Sequence, residues 1–349
     1  MFPNPPPNQR EPDMRRLIQP NVPKNGMLEK CRQIEQAGTI RLVLTEMNAV
    51  MLGLLRKSPL GICLSCTLAA AAAAATVDAH DVAFRSQGVT LRGIVMVPKD
   101  VRVVAAIVMV HGAGQEKRNL GFATAFAERG IAALTYDKRG VGQSGGVYAG
   151  QEVGTNNVSR DNLELLSLDA AAALRVLGRE KRLRGVPIGF VGVSQAGWIV
   201  PLAALKTPQS RFMVLFSGAV ETTHEDVRFE YLALADPAFW DHHTHKEMKT
   251  LARPPLSAVP GLGATAWSDF DPREALSKLT IPGLWLFGGR DRNADVDVST
   301  ERLDGLIAAG HKDYSYRLYP GYDHQLGGIN ADIIDPSVEW IRRVVSAKP

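Results

Sequence analysis

Cysteine is scarce in this sequence of 349 residues, and it is confined to the N-terminal part. The three cysteines are Cys31, Cys63 and Cys66, and none follows them. A mature domain that starts near His80 therefore has no disulfide, no reactive thiolate and no cysteine-bound metal. These absences exclude a disulfide scaffold and a cysteine hydrolase.

An excess of one charge sign is also missing from most of the chain. The formal net charge is +4, with 40 Lys/Arg against 36 Asp/Glu. Residues 1–79 hold 9 Lys/Arg and 6 Asp/Glu, which leaves 31 against 30 for residues 80–349. Without a basic stripe, we expect no nucleic-acid partner.

The N-terminal residues 1–50 contain little that could pack into a core. Residues 1–26 are rich in Pro, Asn, Arg and Gln, a composition typical of disorder. We expect residues 1–50 to be disordered or an over-extended N-terminus, with translation starting at Met47 or Met51.

Residues 51–79 have the layout of a secretory signal peptide. A cationic start at Arg56 and Lys57 precedes an Ala-rich apolar run and small residues. The A-x-A of residues 73–75 and the V-x-A of residues 77–79 are candidate cleavage points. We expect a periplasmic or secreted protein that is not inserted in a membrane after cleavage; a retained anchor or a plain Ala-rich helix is the alternative.

Strand-like and helix-like segments alternate from His80 to the C-terminus. Several strands, such as "AAIVMV" and "VPIGFVGV", are continuous apolar runs, which indicates burial on both faces. The pattern predicts an α/β fold over residues 80–349, with a mostly parallel central sheet and helices on both faces. Residues 221–279, an irregular stretch with prolines and large apolar side chains, are a candidate small cap insertion; a surface insertion without a role in binding is the alternative.

Ser194 lies in "GFVGVSQAGWIV", between an apolar strand and an apolar helix. Gly192 and Ala196 leave room for a tight turn that presents the hydroxyl above the sheet. A lone G-x-S-x-A is a weak signal that also fits a serine at a helix cap, but this context favours a nucleophile. A serine hydroxyl needs a base, a group that orients the base, and donors for the oxyanion.

Candidates for the base and its orienting carboxylate follow two later strands. His324, in the loop after "YRLYPGYD", is the candidate base, and Asp291, after "LWLFGGR", is the candidate orienting group. Asp295 and Asp297 are rivals of Asp291, and we rank Asp323 below it. Because strand ends converge in an open α/β sheet, we expect these groups to meet in one crevice.

The loop "HGAG" follows the third strand and is the candidate oxyanion loop. We expect the oxyanion donors to be the backbone N–H groups of Ala113 and of Gln195, the residue after the nucleophile. Gly112, Trp198 and Trp240 are candidate substrate-binding residues.

The order Ser194, Asp291, His324, with "HGAG" upstream, resembles the α/β-hydrolase superfamily over essentially all of residues 80–349. With "GVSQAGW" at the turn, "YDKRGVGQSGG" is similar to bacterial serine carboxylesterases and more distantly to acyl-CoA thioesterases and serine aminopeptidases. The resemblance implies the roles given above and metal-free ester hydrolysis. Ala196 departs from the glycine that is commoner at the last position of the G-x-S-x-G turn.

Three other motifs invite different functions. "GVGQSG" (residues 140–145) matches a dinucleotide fingerprint, but a polar loop follows it instead of a helix, so we expect a tight loop with Asp137 and Arg139 pairing locally. "WDHHTHKE" gathers histidines, but we expect a solvated cap segment and no metal site. We expect His111 to brace its loop.

The sequence thus predicts an exported serine carboxylesterase that acts on a small-molecule ester, with no cofactor and no metal. A serine aminopeptidase or acyl-CoA thioesterase with the same triad is the first alternative, and Glu221, Glu225 and Glu230 leave the former open. A catalytically inactive binding module is the second. The oligomeric state is not predicted.

Overall fold

The computed structural model describes residues 76–150, 153, 155–259, 267–328 and 330–347. Most of the signal-like segment, residues 51–75, and all of residues 1–50 lie outside this range. The described strands are β1 (Val77–Ser86), β2 (Val89–Pro98), β3 (Ala105–Val110), β4 (Ile131–Tyr136), β5 (Ile188–Val193), β6 (Ser210–Phe216), β7 (Gly283–Gly288) and β8 (Tyr314–Tyr319).

The eight strands form one sheet in the order β1-β2-β4-β3-β5-β6-β7-β8. The pairs β1–β2 and β2–β4 are antiparallel, and every later pair is parallel. This confirms the predicted mostly parallel sheet. The carboxyl ends of β3, β5, β7 and β8 consequently lie along one edge, where the loops that follow them meet.

Helices connect the strands in the described part of the chain. They are α1 (Leu120–Ala127), α2 (Arg160–Leu177), α3 (Ala196–Leu205), α4 (Thr223–Leu234), α5 (Phe239–His242), α6 (His245–Met248), α7 (Arg273–Leu276), α8 (Val296–Ala308) and α9 (Ala331–Ser346). None of the helices that the structure describes is long and apolar enough to cross a bilayer.

The core has two faces because alternate residues of each buried strand point to opposite sides of the sheet. On β3, Ala106 and Val108 pack with α2, α3 and α8, whereas Ala105 and Ile107 pack with α1 and α9. The predicted cover of helices on both faces is confirmed. Burial of both faces explains why β3 and β4 are apolar at every position or nearly so.

The segment between β6 and β7 is more regular than the sequence pattern indicated. It contains the twelve-residue helix α4, which begins at a capping box between Thr222 and Glu225. Phe229 of α4 packs against Phe239 and Met248 in a small cluster of its own. The prolines that follow obscured a helix that local capping had already specified.

Candidate active site

Ser194 lies at the turn that joins β5 to α3. Its φ is 52°, in the left-handed region that non-glycine residues rarely adopt. The turn is held because the N–H of Ser194 donates to the carbonyl of Phe216 on β6 and its carbonyl accepts from Gly197. A Cβ at Gly192 would lie 2.4 Å from the Cβ of Ala196, so glycine is needed at 192 because 196 carries a methyl.

His324 is held by a carboxylate on its Nδ1 side. Its Nδ1 lies 2.7 Å from Oδ2 of Asp291, which is fully buried. The other oxygen of Asp291 accepts from the N–H groups of Asn293 and Ala294 at 2.8 and 2.9 Å. An ionised carboxylate only accepts hydrogen bonds, so Nδ1 carries the proton and Nε2 of the neutral ring has a free lone pair.

The electrostatic surroundings favour the protonated form of His324. Burial lowers the pKa of His324, but the facing carboxylate of Asp291 outweighs it, with smaller contributions from Glu230 and Glu221, and the pKa ends above its ordinary value. The His324 carbonyl accepts from the hydroxyl of Ser217 at 2.8 Å, which fixes the loop that carries the imidazole.

The "HGAG" loop passes close to the nucleophile. A Cβ at Gly112 would lie 3.5 Å from the Cβ of Ser194. Neither the N–H of Ala113 nor that of Gln195 donates to another residue in the part of the chain that the structure describes. Both groups are therefore available to a ligand at this place.

One cavity of about 910 Å³ collects most of the predicted site residues. Its lining includes Ser194, Gln195, His324, Gly112, Ala113 and Trp198. A volume of this size accommodates a small organic molecule. The indole N–H of Trp198 donates to the carbonyl of Glu221 at 2.9 Å, so this side chain presents its apolar ring to the cavity.

Sequence comparisons show which known proteins this chain resembles. The Hydrolase_4 family model, described as serine aminopeptidase, S33, matches residues 102–264. The esterase EstD of Thermotoga maritima is 26% identical over 245 residues, which cover 64% of this chain and 56% of the relative. This chain thus spans little more than half the length of that curated relative.

Solved structures share the architecture at low sequence identity. An esterase of Pyrococcus furiosus superposes with a TM-score of 0.55 at 14% identity, covering 77% of this chain and 91% of that one. An acylaminoacyl peptidase of Pyrococcus horikoshii gives 0.57 at 16% identity, covering 78% and 43%. The chain has the α/β-hydrolase fold. Its sequence resembles both a serine aminopeptidase family model and a curated esterase.

Trp240, predicted to bind substrate, does not line the main cavity of this α/β-hydrolase domain. Its indole N–H donates to the backbone carbonyl of Asp291 at 2.6 Å, and its ring borders a separate, smaller cavity. Its place outside the lining of the main cavity gives the prediction of Trp240 as a substrate contact no support, and it stays a prediction.

The rival carboxylates have other partners. Asp295 caps α8 and pairs with Arg253, and Asp297 lies 3.0 Å from Nδ1 of His245. Asp323 accepts from the backbone N–H of Gln325. Asp291 is thus the carboxylate that contacts His324.

His111 has the environment of a structural residue. It is buried, its ring meets Tyr136 edge to face at 4.6 Å, and its Nε2 donates to the carbonyl of Tyr136. Burial lowers the pKa of His111 to about 4, so the ring is neutral at physiological pH. Its position agrees with the predicted bracing of the loop.

The loop after β4 is tight, but its ion pairs differ from the prediction. Asp137 pairs with Arg118 at 2.8 Å, whereas Arg139 is buried against Asp169 of α2. The predicted local pair of Asp137 with Arg139 is wrong, because the two side chains leave the loop in different directions. Gly142, at φ 58°, lets the backbone pass over the Asp137 carboxylate.

Two histidines of the cap segment each pair with one carboxylate. His242 contacts Asp236 at 2.7 Å and His245 contacts Asp297. Within the described ranges, no group of three or more His, Cys, Asp or Glu side chains has the arrangement of a metal site.

Sequence reasoning missed an acidic wall of the cavity. Asp226 and Glu230, one turn apart on α4, line the cavity together with Glu116 from the loop after β3. Burial raises the pKa of Asp226 well above its ordinary value and also raises that of Glu116. Of Glu221, Glu225 and Glu230, which the sequence analysis considered, Glu230 lines the cavity. The i, i+4 spacing of Asp226 and Glu230 was the sequence signal that could have placed both carboxylates on one helix face.

Proposed function

We propose that this chain is a serine carboxylesterase that hydrolyses small-molecule carboxylic esters. The observation that carries the proposal is the shared cavity of Ser194, on its positive-φ turn, and His324, whose Nδ1 lies 2.7 Å from Asp291. The resemblance to the Thermotoga maritima esterase supports the choice of ester over other acyl substrates.

The proposed reaction begins when the Ser194 hydroxyl attacks the ester carbonyl carbon and its proton passes to Nε2 of His324. Asp291 stabilises the imidazolium that forms, and the N–H groups of Ala113 and Gln195 bind the oxyanion. Collapse of the tetrahedral intermediate breaks the bond to the alcohol, which takes the proton from His324. Water then attacks the acyl carbon as His324 takes its proton; the bond to Ser194 Oγ breaks, Oγ regains the proton from His324, and the acid is released.

Replacement of the nucleophile tests this proposal. Ser194→Ala should lower kcat on p-nitrophenyl acetate at least about 10⁴-fold, without changing the unfolding temperature. Ser277→Ala, at an exposed serine, is the matched control and should keep wild-type activity. A Ser194→Ala variant with wild-type turnover would overturn the mechanism.

Labelling separates an active enzyme from a binding module that only shares the fold. An aryl phosphonate should modify Ser194, as peptide mass spectrometry would show, and should stop ester hydrolysis in proportion. An unlabelled serine under conditions of full inhibitor excess would instead support the binding module.

A serine aminopeptidase is the second candidate function, and the acidic wall favours it. Glu230 lies in the cavity beside the triad and accepts from Asn293 at 2.8 Å, so a carboxylate faces the space that a substrate amine would occupy. Rates on an aryl ester and on an aminoacyl p-nitroanilide distinguish the two. The esterase proposal expects the ester to be hydrolysed and the anilide to be left intact.

We further propose that the protein is exported, with the signal-like residues 51–75 removed. The support is compositional: a cationic start, an Ala-rich run and a small-residue A-x-A sequence before β1. N-terminal sequencing of protein from the periplasm or medium tests it, and a chain retained in the cytoplasm with residue 1 intact would contradict it.

A further inference from the structure

Lys138 is a buried lysine directly after β4 whose ammonium group contacts two loops of the active site. The residue is 2% exposed. Its Nζ donates to the carbonyls of Gly112 at 2.6 Å, Ala113 at 3.0 Å and Gly114 at 3.3 Å, and to Oε1 of Gln195 at 3.0 Å. Its three N–H groups thus serve at least these four acceptors.

The contact with Gly112 determines where the N–H of Ala113 points. Both groups belong to one peptide unit, which is planar and trans, so its C=O and N–H face opposite ways. Fixing the Gly112 carbonyl on the ammonium group fixes the Ala113 N–H on the other side of the loop. That N–H donates to no other described residue, and Ala113 borders the cavity that holds Ser194.

Lys138 also contacts the side chain of Gln195, whose backbone N–H is the second proposed oxyanion donor. Oε1 of Gln195 accepts from Lys138, and its Nε2 donates to the carbonyl of Asn157 at 2.7 Å. The side-chain amide is therefore anchored at both ends, which restrains the backbone that follows Ser194. One ammonium group thus connects the two residues whose N–H groups form the proposed oxyanion hole.

The surroundings of Lys138 suit an ammonium group and a single position for it. Lysine is almost never fully buried unless it is paired. Here the ring of Tyr148 lies 5.5 Å from Nζ, the Tyr148 hydroxyl donates to the Ala113 carbonyl at 2.8 Å, and the carboxylate of Glu116 interacts with the ammonium charge. The Ala113 carbonyl is thus held by both Lys138 and Tyr148.

We propose that Lys138 is a positioning residue for the oxyanion hole, which holds the Ala113 and Gln195 N–H groups in the geometry that binds the developing oxyanion. The inference rests on the serine esterase mechanism proposed above. Lys138 does not touch the substrate; its ammonium group acts through the loop carbonyls and through the Gln195 side chain.

The test replaces Lys138 with methionine, which keeps the length of the side chain and removes its charge and donors. Loss of an oxyanion donor lowers kcat about 10²–10³-fold, so Lys138→Met should lower kcat on p-nitrophenyl acetate about 100-fold and leave KM within about 3-fold. The inhibition constant of an aryl trifluoromethyl ketone, whose adduct carries the oxyanion, should rise by a similar factor.

Two further measurements exclude a general loss of structure. The acid limb of the kcat/KM profile should stay in place, because the groups that raise the pKa of His324 are the carboxylates of Asp291, Glu230 and Glu221. The matched control is Lys206→Met. Lys206 directly follows α3 and pairs with Glu164 of α2, so its replacement should keep wild-type kcat.

Each outcome decides the proposal. Wild-type kcat in a folded Lys138→Met chain overturns it, as does a fall in activity that lies in KM alone. Lys138→Gln is the second variant should methionine not fold, with the same expectation; if neither folds, Lys138 is structural and the assignment is overturned. Ser194→Ala is measured in parallel to tell two failures apart: activity in that variant overturns the mechanism, whereas an inactive Ser194→Ala with wild-type kcat in Lys138→Met overturns the role of Lys138 alone.

Discussion

The charge state of one imidazole determines the pH range in which the proposed reaction runs. His324 must be neutral to accept the proton of Ser194, so kcat/KM rises with pH through the pKa of His324 in the free enzyme. Burial lowers the pKa of His324, whereas Asp291 first and then Glu230 and Glu221 raise it, and the carboxylates prevail. The acid limb should therefore lie above the ordinary histidine value.

Replacing Glu230 tests this electrostatic account. Glu230→Gln removes a negative charge that favours the imidazolium, so the pKa of His324 falls and the acid limb moves to lower pH. The measurement is kcat/KM for p-nitrophenyl acetate between pH 5 and 9. Glu301→Gln, at an exposed position of α8, is the control and should leave the limb in place. A shift to higher pH in Glu230→Gln would contradict the account.

The sheet determines which site residues could be predicted. Ser194, Asp291 and His324 each follow a parallel strand, so the convergence of strand ends brings them to one edge whatever the loops do in detail. Trp240 and Asp226 lie in the insertion between β6 and β7, where no strand fixes the path of the chain. The positions of their side chains depend on local packing, which the sequence pattern does not encode.

At the scale of elements, the β5–α3 unit explains why alanine can stand at position 196. The methyl of Ala196 is fully buried and fills the space above Gly192, which has no Cβ. At position 196, two residues after the nucleophile, an alanine thus replaces the usual glycine. Its methyl has room because Gly192, two residues before the nucleophile, has no side chain. The two positions are expected to be coupled.

A double-mutant cycle measures this coupling. Gly192→Ala would place two methyl carbons 2.4 Å apart and should destabilise the protein by about 1–3 kcal/mol, as overpacking does. Ala196→Gly removes the opposing methyl, so the double variant should recover a large part of the loss. Urea unfolding of the four proteins gives the coupling energy. Simple additivity of the two single effects would show that the methyl of Ala196 is not what excludes a side chain at 192.

Helix α4 shows where element-scale prediction failed. Its capping box of Thr222 and Glu225 is a local signal for a helix start, but four prolines between Pro237 and Pro260 suggested irregular chain throughout. Helix α9 also contains a proline: it begins at Ala331 and continues through Pro336. Pro336 lies in the second turn of α9, where it lacks the N–H that would donate to the carbonyl of Asp332.

For the whole molecule, the first strand of the sheet constrains where a signal peptide can be removed. β1 begins at Val77, and its first three residues pair with β2 as far as Met96. Val77 also packs against the core face that α1 and α9 cover, and the carbonyl of Thr76 accepts from the N–H of Lys99. Cleavage after Ala79 would remove these contacts, whereas cleavage after Ala75 leaves them intact.

Two chains that differ only at their start test this constraint. A chain that begins at Thr76 should unfold at a higher temperature than one that begins at His80, by about 5 °C, because the loss of three strand pairs and of the Val77 side chain costs about 1–3 kcal/mol. Asp78, which pairs with Arg182 at the surface, contributes little to this difference. Thermal unfolding by circular dichroism measures both chains, and the shared sequence from His80 onward serves as the internal control.

If export occurs as proposed, the mature protein should begin at Thr76. Equal unfolding temperatures, together with a native N-terminus at His80, would show that the sheet does not need the first residues of β1.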